Sequence, residues 1–266
     1  MSAEITTGVA RQYATSERLA ARGRLHRNYT VAETPWFQWV AARLPLAGGA
    51  RVLDAGCGPG WFWEAGAPVL PEQLALTLAD ISPGMVAEAT ARCRPLRRWH
   101  VDGVVADVQA LPFPDASFDA VLAMHMLYHV PDQALAIAEL HRVLKPGGTL
   151  AVTTNGAGNL RQLYALTAVF GSDPADPSAA AFGFDRATAL LEARFGKVRR
   201  DVHPGHLRIT EPEDVFLALT SYPPGDAADA PTLAAFRDAI AAAFRAGGGA
   251  LVADKQVALF LGRKPG

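Results

Sequence analysis

The stretch that decides the fold is Val52-Leu53-Asp54-Ala55-Gly56-Cys57-Gly58-Pro59-Gly60, where an apolar run ends in three glycines spaced two apart. An apolar run of this length predicts a buried strand, and residues 61–66 after it have the pattern of a helix. Glycine accepts positive φ angles and has no side chain, so a ligand can approach the backbone of such a loop closely. Main-chain N–H groups at the start of the next helix are then open to an anionic or polar ligand. The segment therefore predicts a ligand-binding strand, loop and helix.

Short apolar runs and helical patterns alternate from Ala50 to Thr154. This alternation is typical of a parallel sheet built from βα units, and it predicts a doubly wound α/β fold. The helix before Lys145-Pro146-Gly147-Gly148 is expected to end there, because Pro and Gly do not continue a helix. The predicted strands are 51–55, 74–79, 101–106, 118–124 and 149–154, and the predicted helices are 61–66, 83–92 and 131–144.

Helical patterns flank this core on both sides. Residues 16–44 predict one or two helices, one of them beginning at a Thr34 cap with Pro35 in the first helical position. We expect a helical N-terminal lid over residues 1–49 and a second unit over 50–266, with a cap inserted at about 155–195 over the carboxyl edge of the sheet. The later predicted elements are helices 159–170, 186–194, 212–219 and 231–246, a loop at 171–178, and strands 197–202 and 255–261.

A second signal follows the glycine loop. Leu78-Ala79-Asp80-Ile81-Ser82 ends the next predicted strand in an acidic residue, whose carboxylate can accept hydrogen bonds from both hydroxyls of a ribose. Rossmann dehydrogenases use the same arrangement, so these two features alone leave a nicotinamide enzyme open. A nucleoside triphosphate is disfavoured, because Gly60 is followed by Trp61 and not by the Gly-Lys-Ser/Thr ending of a phosphate-binding loop.

Four segments in order resemble the class I S-adenosylmethionine-dependent methyltransferase family. The loop reads GxGxG after the strand-terminal Asp54, unlike the GxGxxG of dinucleotide enzymes. The similarity covers about residues 50–152 and implies a seven-stranded, mainly parallel sheet whose last strand is antiparallel. It also implies methyl transfer to an oxygen or nitrogen of a small molecule, in the manner of natural-product biosynthesis, with S-adenosylhomocysteine as coproduct. The other matching segments are 106–113 continued by 117–121, 129–132 and 142–148.

The resemblance implies which residues hold the methyl donor. Asp54 would face the amino group of the donor, directly or through water, or would only cap the glycine turn. An aliphatic residue and a methionine at helical spacing, Ile81 and Met85, would pack on the adenine or belong to the core. From the N-terminal block, Tyr13 and Arg24 are candidates for the donor carboxylate. The remaining expected contacts are Gly56, Gly58 and Gly60 with the methionine part, Asp80 with the ribose, and Asp107 and Val108 with the adenine.

The acceptor side is expected where residues 124–129 leave the fourth predicted strand. A histidine can remove a proton from an accepting oxygen or nitrogen, so the catalytic candidates are His125, His129 and their neighbour Tyr128. Packing under the donor is the alternative that we favour for His129, with Tyr128 in the cleft wall. The N-terminal block could equally be an amphipathic helix docked on the sheet edge. The substrate-binding candidates are His26, Tyr29, Asn155, Arg161 and Tyr164.

Composition narrows the alternatives. A formal net charge of -1 gives no basic footprint for nucleic acid. Cys57 and Cys93 form no CxxC pair and have no ligand partners at metal spacing, so no metal is expected. The sequence shows no signal-peptide pattern and no membrane span, so the cytoplasm is the expected location. We expect a monomer or homodimer. A protein or RNA methyltransferase, a non-catalytic S-adenosylmethionine-binding module and, more distantly, a nicotinamide oxidoreductase stay open.

Overall fold

The computed structural model describes the backbone of residues 17–266 and the side chains from Gly23 onward. The strands are β1 Thr30–Val31, β2 Arg51–Ala55, β3 Ala75–Asp80, β4 His100–Val105, β5 Phe118–Met124, β6 Leu144–Asn155, β7 Val198–Val202, β8 His206–Ile209, β9 Leu251–Asp254 and β10 Val257–Arg263. The α-helices are α1 Glu17–Tyr29, α2 Trp36–Ala41, α3 Trp61–Gly66, α4 Pro83–Cys93, α5 Gln133–Val143, α6 Arg161–Tyr164, α7 Pro177–Phe182, α8 Phe184–Phe195, α9 Pro212–Leu219 and α10 Ala230–Ala246. Short 3₁₀ helices occur at Arg94–Leu96, Leu127–His129, Ala165–Phe170 and Gly225–Ala227.

Seven of the described strands form one sheet in the order β4-β3-β2-β5-β6-β10-β7. The pairs within β4-β3-β2-β5-β6 are parallel, whereas β10 runs antiparallel to both β6 and β7. The predicted doubly wound sheet with an antiparallel last strand is therefore confirmed. The strand order reverses between β2 and β5, and ligands of such sheets bind outside the carboxyl ends of the strands at this point.

Helices cover both faces of the sheet, which is why its central strands are apolar on both sides. Leu53 and Val121 are fully buried on one face, in a cluster with residues of α5 and α8. Val52 and Leu122 are fully buried on the other face, in a cluster with residues of α2, α3 and α4. The continuous apolar runs of β2 and β5 thus follow from burial on both faces, and they fix these two strands in the middle of the molecule.

A second, smaller sheet has the order β1-β8-β9 and is antiparallel throughout. It carries its own apolar cluster, in which the side chains of Leu207 and Ile209 alternate with exposed positions. Phe236, Ile240 and Phe244 follow one another at helical spacing on α10 and complete this cluster, which also takes in Leu25 of α1. This sheet has no counterpart in the sequence prediction, because strands of two to four residues are too short to show a period.

Some predicted boundaries differ from the structure. Helix α2 begins at Trp36, so Pro35 occupies the cap and Thr34 does not. The predicted helix 159–170 is divided into α6 and a 3₁₀ helix. Helix α7 begins at the end of the predicted loop 171–178, because Pro177 stands at its first turn and the Asp176 carboxylate accepts the N–H of Ser178.

The described helices were also compared with the thickness of a bilayer. Between residues 17 and 266, none combines the length and the apolar character needed to cross a membrane.

Replacing Phe236 with Ala tests how strongly the third cluster contributes to stability. The ring is fully buried, and we expect its loss to lower the free energy of unfolding by about 3–5 kcal/mol, measured by urea titration. Leu217→Ala on α9 is the control, since that side chain is 42% exposed and its truncation should change stability by about 0.5 kcal/mol or less. Equal effects of the two substitutions would contradict this account.

Candidate active site

The glycine loop turns back over the end of the neighbouring strand. The N–H groups of Gly56 and Cys57 both donate to the carbonyl oxygen of Ala79, at 2.7 and 3.0 Å. Gly56 has a φ of +75°, and a Cβ atom there would lie 2.7 Å from Cγ of Met126, so packing alone demands glycine. Gly58 has a φ of +52°, and a Cβ atom there would meet nothing within 4 Å. The loop therefore borders open space at Gly58, as close approach of a ligand requires.

Asp80 closes the loop at the end of β3. Its Oδ2 accepts the N–H of Gly58 at 3.0 Å, and its Oδ1 accepts the N–H of Ser82 at 2.9 Å. Burial raises the pKa of this carboxyl group, while the N–H groups of Ser82 and Gly58 act in the opposite direction. A carboxylate has about four lone-pair sites, so it is fixed in place and still able to accept bonds from a ligand.

Asp54 lies buried at the end of β2. Its Oδ2 accepts a hydrogen bond from Nε1 of Trp63 at 2.7 Å, whereas its Oδ1 is buried with no hydrogen-bond partner in the described structure. The pKa of Asp54 is raised to about 7, mainly by burial. The charge of Asp80 also raises it, and the hydrogen bond from Trp63 acts in the opposite direction. A buried acceptor without a donor is costly, so this oxygen is suited to a cationic or donor group of a ligand. Trp63 was not singled out from the sequence, although an indole directly after a glycine loop is a usable signal.

The residues expected around an adenine are placed differently from one another. Ile81 is 46% exposed beside Asp80 and is free to pack on a ligand. Met85 is only 1% exposed, which matches the core alternative and gives no surface for adenine packing. The Asp107 carboxylate is exposed and accepts the N–H of Gln109 at 2.9 Å, while Val108 packs in the core cluster.

Helix α1 lies across the helix that follows the glycine loop. A Cβ atom on Gly23 would come 3.1 Å from the Trp61 ring, and the guanidinium of Arg27 lies 5.4 Å from the centre of that ring. Arg24 and Tyr29, which are expected to contact a ligand, both contact Asp214 of α9 in the described structure. Arg24 approaches its Oδ1 at 3.3 Å, and the Tyr29 hydroxyl donates to its Oδ2 at 2.7 Å. Tyr13 lies outside the described residues.

Tyrosines line one part of the expected acceptor side. The rings of Tyr128 and His129 meet at 4.5 Å between centroids. Burial raises the pKa of Tyr164 well above its ordinary value, and the neighbouring Tyr222, Asp176 and Tyr128 add to this shift. Tyr164 and Tyr128 thus lie near one another, as expected for two candidates of one pocket.

The two other candidates from the inserted cap, Asn155 and Arg161, differ in their surroundings. The Asn155 side-chain amide donates to Oδ2 of Asp176 at 2.8 Å and to Oγ of Ser178 at 2.9 Å. Asn155 therefore joins the end of β6 to the start of α7, because its amide binds the buried Asp176 carboxylate. Arg161 is exposed at the start of α6.

A different part of the carboxyl edge holds a group of basic side chains, His26, His125, His203 and Lys255, here called the basic cluster. His125 adopts a φ of +51°, and its N–H donates to the carbonyl and the hydroxyl of Thr153 at 3.1 and 3.0 Å. The pKa of His125 is lowered to about 4, mainly by burial and also by the positive charge of Lys255. The sequence analysis placed Lys255 at the start of a strand and missed it as a site residue. A lysine that opens an otherwise apolar strand is the one signal it gives.

Known proteins were compared with this chain. Residues 53–152 match the family model described as a methyltransferase domain. The malonyl-[acyl-carrier protein] O-methyltransferase of Erwinia billingiae is 38% identical over 125 residues, which are 44% of this chain and 43% of that protein. The 27-O-demethylrifamycin SV methyltransferase of Amycolatopsis mediterranei is 40% identical over 117 residues, 42% of this chain and 41% of that protein. The matches thus span less than half the length of these curated relatives.

A solved structure extends the comparison to the fold. The YcgJ protein of Bacillus subtilis superimposes with a TM-score of 0.60 at 19% identity, over 86% of this chain and 98% of that one. Similarity at this level of identity concerns the fold and covers the sheet together with most of its flanking elements.

Asp54→Asn tests the burial of the Asp54 carboxyl. Between about pH 4 and about pH 7 the unfolded chain has released this proton and the folded chain has not, so the wild type loses stability as the pH rises through that window. Asparagine does not ionise. We therefore expect the free energy of unfolding of the variant, relative to wild type, to rise from about pH 4 to about pH 7 and to level off above. Urea titrations measure it, with Asp173→Asn at an exposed position as the control; a difference that does not change with pH would contradict the assignment.

Proposed function

We propose, on the premise that residues 53–152 are a methyltransferase domain, that this protein transfers a methyl group from S-adenosylmethionine to an oxygen of a small molecule. The domain match over residues 53–152 supports the family resemblance of the four motifs, and the shared fold agrees with it. An oxygen acceptor is favoured because the relative from Erwinia billingiae is named an O-methyltransferase. The observation that carries the proposal is the Gly58 N–H bound to the Asp80 carboxylate at the border of open space.

The residues present fit S-adenosylmethionine. Asp80 offers both carboxylate oxygens at a strand end, where ribose hydroxyls would bind. The buried Oδ1 of Asp54 has no partner among the described residues and suits an ammonium group. Gly58 leaves room for the ligand against the backbone, and the exposed Ile81 supplies an apolar surface next to Asp80. Acidic oxygens for the amino group and the ribose are thus grouped along one crevice.

Methyl transfer asks more of positioning than of catalytic groups. S-adenosylmethionine, when bound, supplies a methyl group on a sulfonium, which is already activated by its positive charge. Holding the acceptor in line and excluding water then contributes most of the acceleration. Helix α1 is suited to this task, because Gly23 and Arg27 pack it over Trp61 next to the glycine loop. We therefore assign α1 the role of a cover, within the proposed lid of residues 1–49.

His125 has a limited part in proton transfer under this proposal. With a pKa lowered to about 4 by burial, it is uncharged at neutral pH and is a weak base. We assign it to orienting the acceptor. Tyr128 and His129, whose rings contact each other, are assigned to the wall of the same cleft.

The alternatives differ in testable ways. A protein or RNA substrate needs an open groove, whereas α1 packs over the helix after the glycine loop, which favours a small acceptor. A natural-product acceptor is supported by the relative from Amycolatopsis mediterranei, named for a demethylrifamycin. Both cysteines are free thiols, and we place the protein in the cytoplasm as a monomer or homodimer. A non-catalytic binding module would hold the donor and release no coproduct.

Isothermal titration with S-adenosylhomocysteine tests the donor site, with NAD as the competing ligand. We expect S-adenosylhomocysteine to bind at micromolar concentration and NAD to give no heat. Release of S-adenosylhomocysteine from the methyl donor is then measured with a panel of phenols, carboxylic acids and amines. Binding without release on every acceptor would favour the non-catalytic module, and binding of NAD alone would overturn the proposal.

Gly58→Ala distinguishes the effect of this position on donor binding from its effect on stability. A Cβ atom there meets no protein atom, so we expect only the cost of a positive φ, about 1–2 kcal/mol of stability. The added methyl group fills the space assigned to the donor, and the affinity for S-adenosylhomocysteine should fall by about tenfold or more. Gly49→Ala is the matched control, because Gly49 also has a positive φ (+81°) with open space around it, but it lies before β2 at the other edge of the sheet. Equal donor affinity in the two variants would contradict the placement.

A further inference from the structure

Lys255 is a buried cation outside the predicted donor site. It lies in the turn between β9 and β10, and it is 8% exposed. Its ammonium approaches the hydroxyl of Thr30 at 3.4 Å. Among the residues that the structure describes, no carboxylate forms an ion pair with it. A buried ammonium without a counter-ion is one of the costliest groups that a fold can hold.

The neighbours of Lys255 are bases, not acids. The charge of Lys255 lowers the pKa of His26, of His125 and of His203. Desolvation is the larger cause in each case, and it brings the pKa of His26 to about 3. His26 is exposed by its accessible surface although many protein atoms surround it, so its ring is open to a ligand. These histidines are therefore neutral at pH 7, and each neutral ring has one N–H to donate.

The basic cluster is assembled from distant parts of the chain. His26 comes from α1, His125 follows β5, His203 follows β7 and Lys255 precedes β10. The Trp36 ring holds the group together on one side, at 5.7 Å from the centre of His125 and 5.3 Å from that of His203. The His203 ring meets the carbonyl of Thr34 through Nε2 at 2.9 Å, and its Nδ1 is buried without a partner in the described structure.

Strand register places this cluster beside the donor site. Val257 pairs with Asn155, the last residue of β6, so Lys255 stands just beyond the carboxyl end of that strand. His125 stands just beyond the end of the adjacent β5, and Met126 after it packs on Gly56 of the glycine loop. The cluster therefore lies at the carboxyl edge next to the glycine loop, on the side of the crevice away from Asp80.

We propose that Lys255, with His26 and His125, binds a carboxylate of the methyl acceptor, so that the protein acts on acidic small molecules. This inference rests on the proposed methyltransferase function and names the class of its acceptor. A carboxylate supplies the negative charge that is missing beside Lys255, and it accepts hydrogen bonds from the neutral histidines. Trp36 offers an apolar wall for the rest of the acceptor. The donor also carries a carboxylate, so the experiment must distinguish the two sources.

The first arm measures S-adenosylhomocysteine affinity and stability in Lys255→Met. We expect a donor affinity within about twofold of wild type, and unchanged or higher stability, because methionine removes a buried uncompensated charge. Lys145→Met is the control: Lys145 is ion-paired with Asp119 at 2.7 Å at the opposite edge of the sheet. A donor affinity lower by about tenfold or more would assign Lys255 to the donor carboxylate and overturn the proposal. A large loss of stability would assign it a structural role and overturn it equally.

The second arm measures binding of matched acids and amides: benzoate and benzamide, hexanoate and hexanamide, glutarate and glutaramide. Each is titrated with and without saturating S-adenosylhomocysteine, so the result does not depend on donor binding. We expect at least one acid to bind wild type about tenfold more tightly than its amide, and Lys255→Met to lose this preference. If no acid exceeds its amide, or if the variant keeps the preference, the proposal is wrong. Release of S-adenosylhomocysteine with neutral acceptors would still support the methyltransferase function. That function is contradicted only if the donor does not bind or if no coproduct is released.

Discussion

The hydrogen bond from the Gly58 N–H to the Asp80 carboxylate joins the ends of β2 and β3, and the arrangement of the site depends on it. The bond forms because positive φ angles at Gly56 and Gly58 turn the loop back across the end of β3. Backbone N–H groups thereby hold the carboxylate in place, and it keeps lone pairs for a ligand. The same turn brings Gly56 against Met126, so the ends of β2, β3 and β5 are in mutual contact.

Two ionisable groups of opposite sign lie buried along this edge without a counter-ion among the described residues. Asp54 has a buried oxygen without a donor and a pKa raised to about 7, and Lys255 has no carboxylate beside it and a pKa lowered by burial to about 8. Burial disfavours the charged form of both groups. Such violations of polar pairing are expected at functional sites, where a ligand provides the missing charges. Under the two proposals, the ammonium group of the donor would meet Asp54, and a carboxylate of the acceptor would meet Lys255.

The sequence allowed prediction of the part of the structure that depends on local pattern. Strands β2 and β5 have the predicted bounds, because burial on both faces makes each a continuous apolar run between turn residues. The loop conformation followed from the glycines. Contacts between distant segments were beyond such reasoning: Asp214 lies 190 residues from Arg24 and 185 from Tyr29, and no spacing rule connects them. Lys255 was missed for the same reason, since its significance comes from histidines on other elements.

Helix α1 shows how one element of the predicted lid connects these parts. Gly23 and Arg27, four residues apart on one face, pack on Trp61 beside the glycine loop. Leu25 and Tyr29, on a second face, belong to the cluster under the small sheet, where Asp214 fixes the end of the helix. His26 lies between these faces, close enough to Lys255 and His125 for their charges to lower its pKa. Since residues four apart share a face, any shift of α1 moves its contact with the donor loop and its contact with the basic cluster together. Under the two proposals, closure of α1 over the glycine loop and binding of an acidic acceptor would therefore act through the same helix.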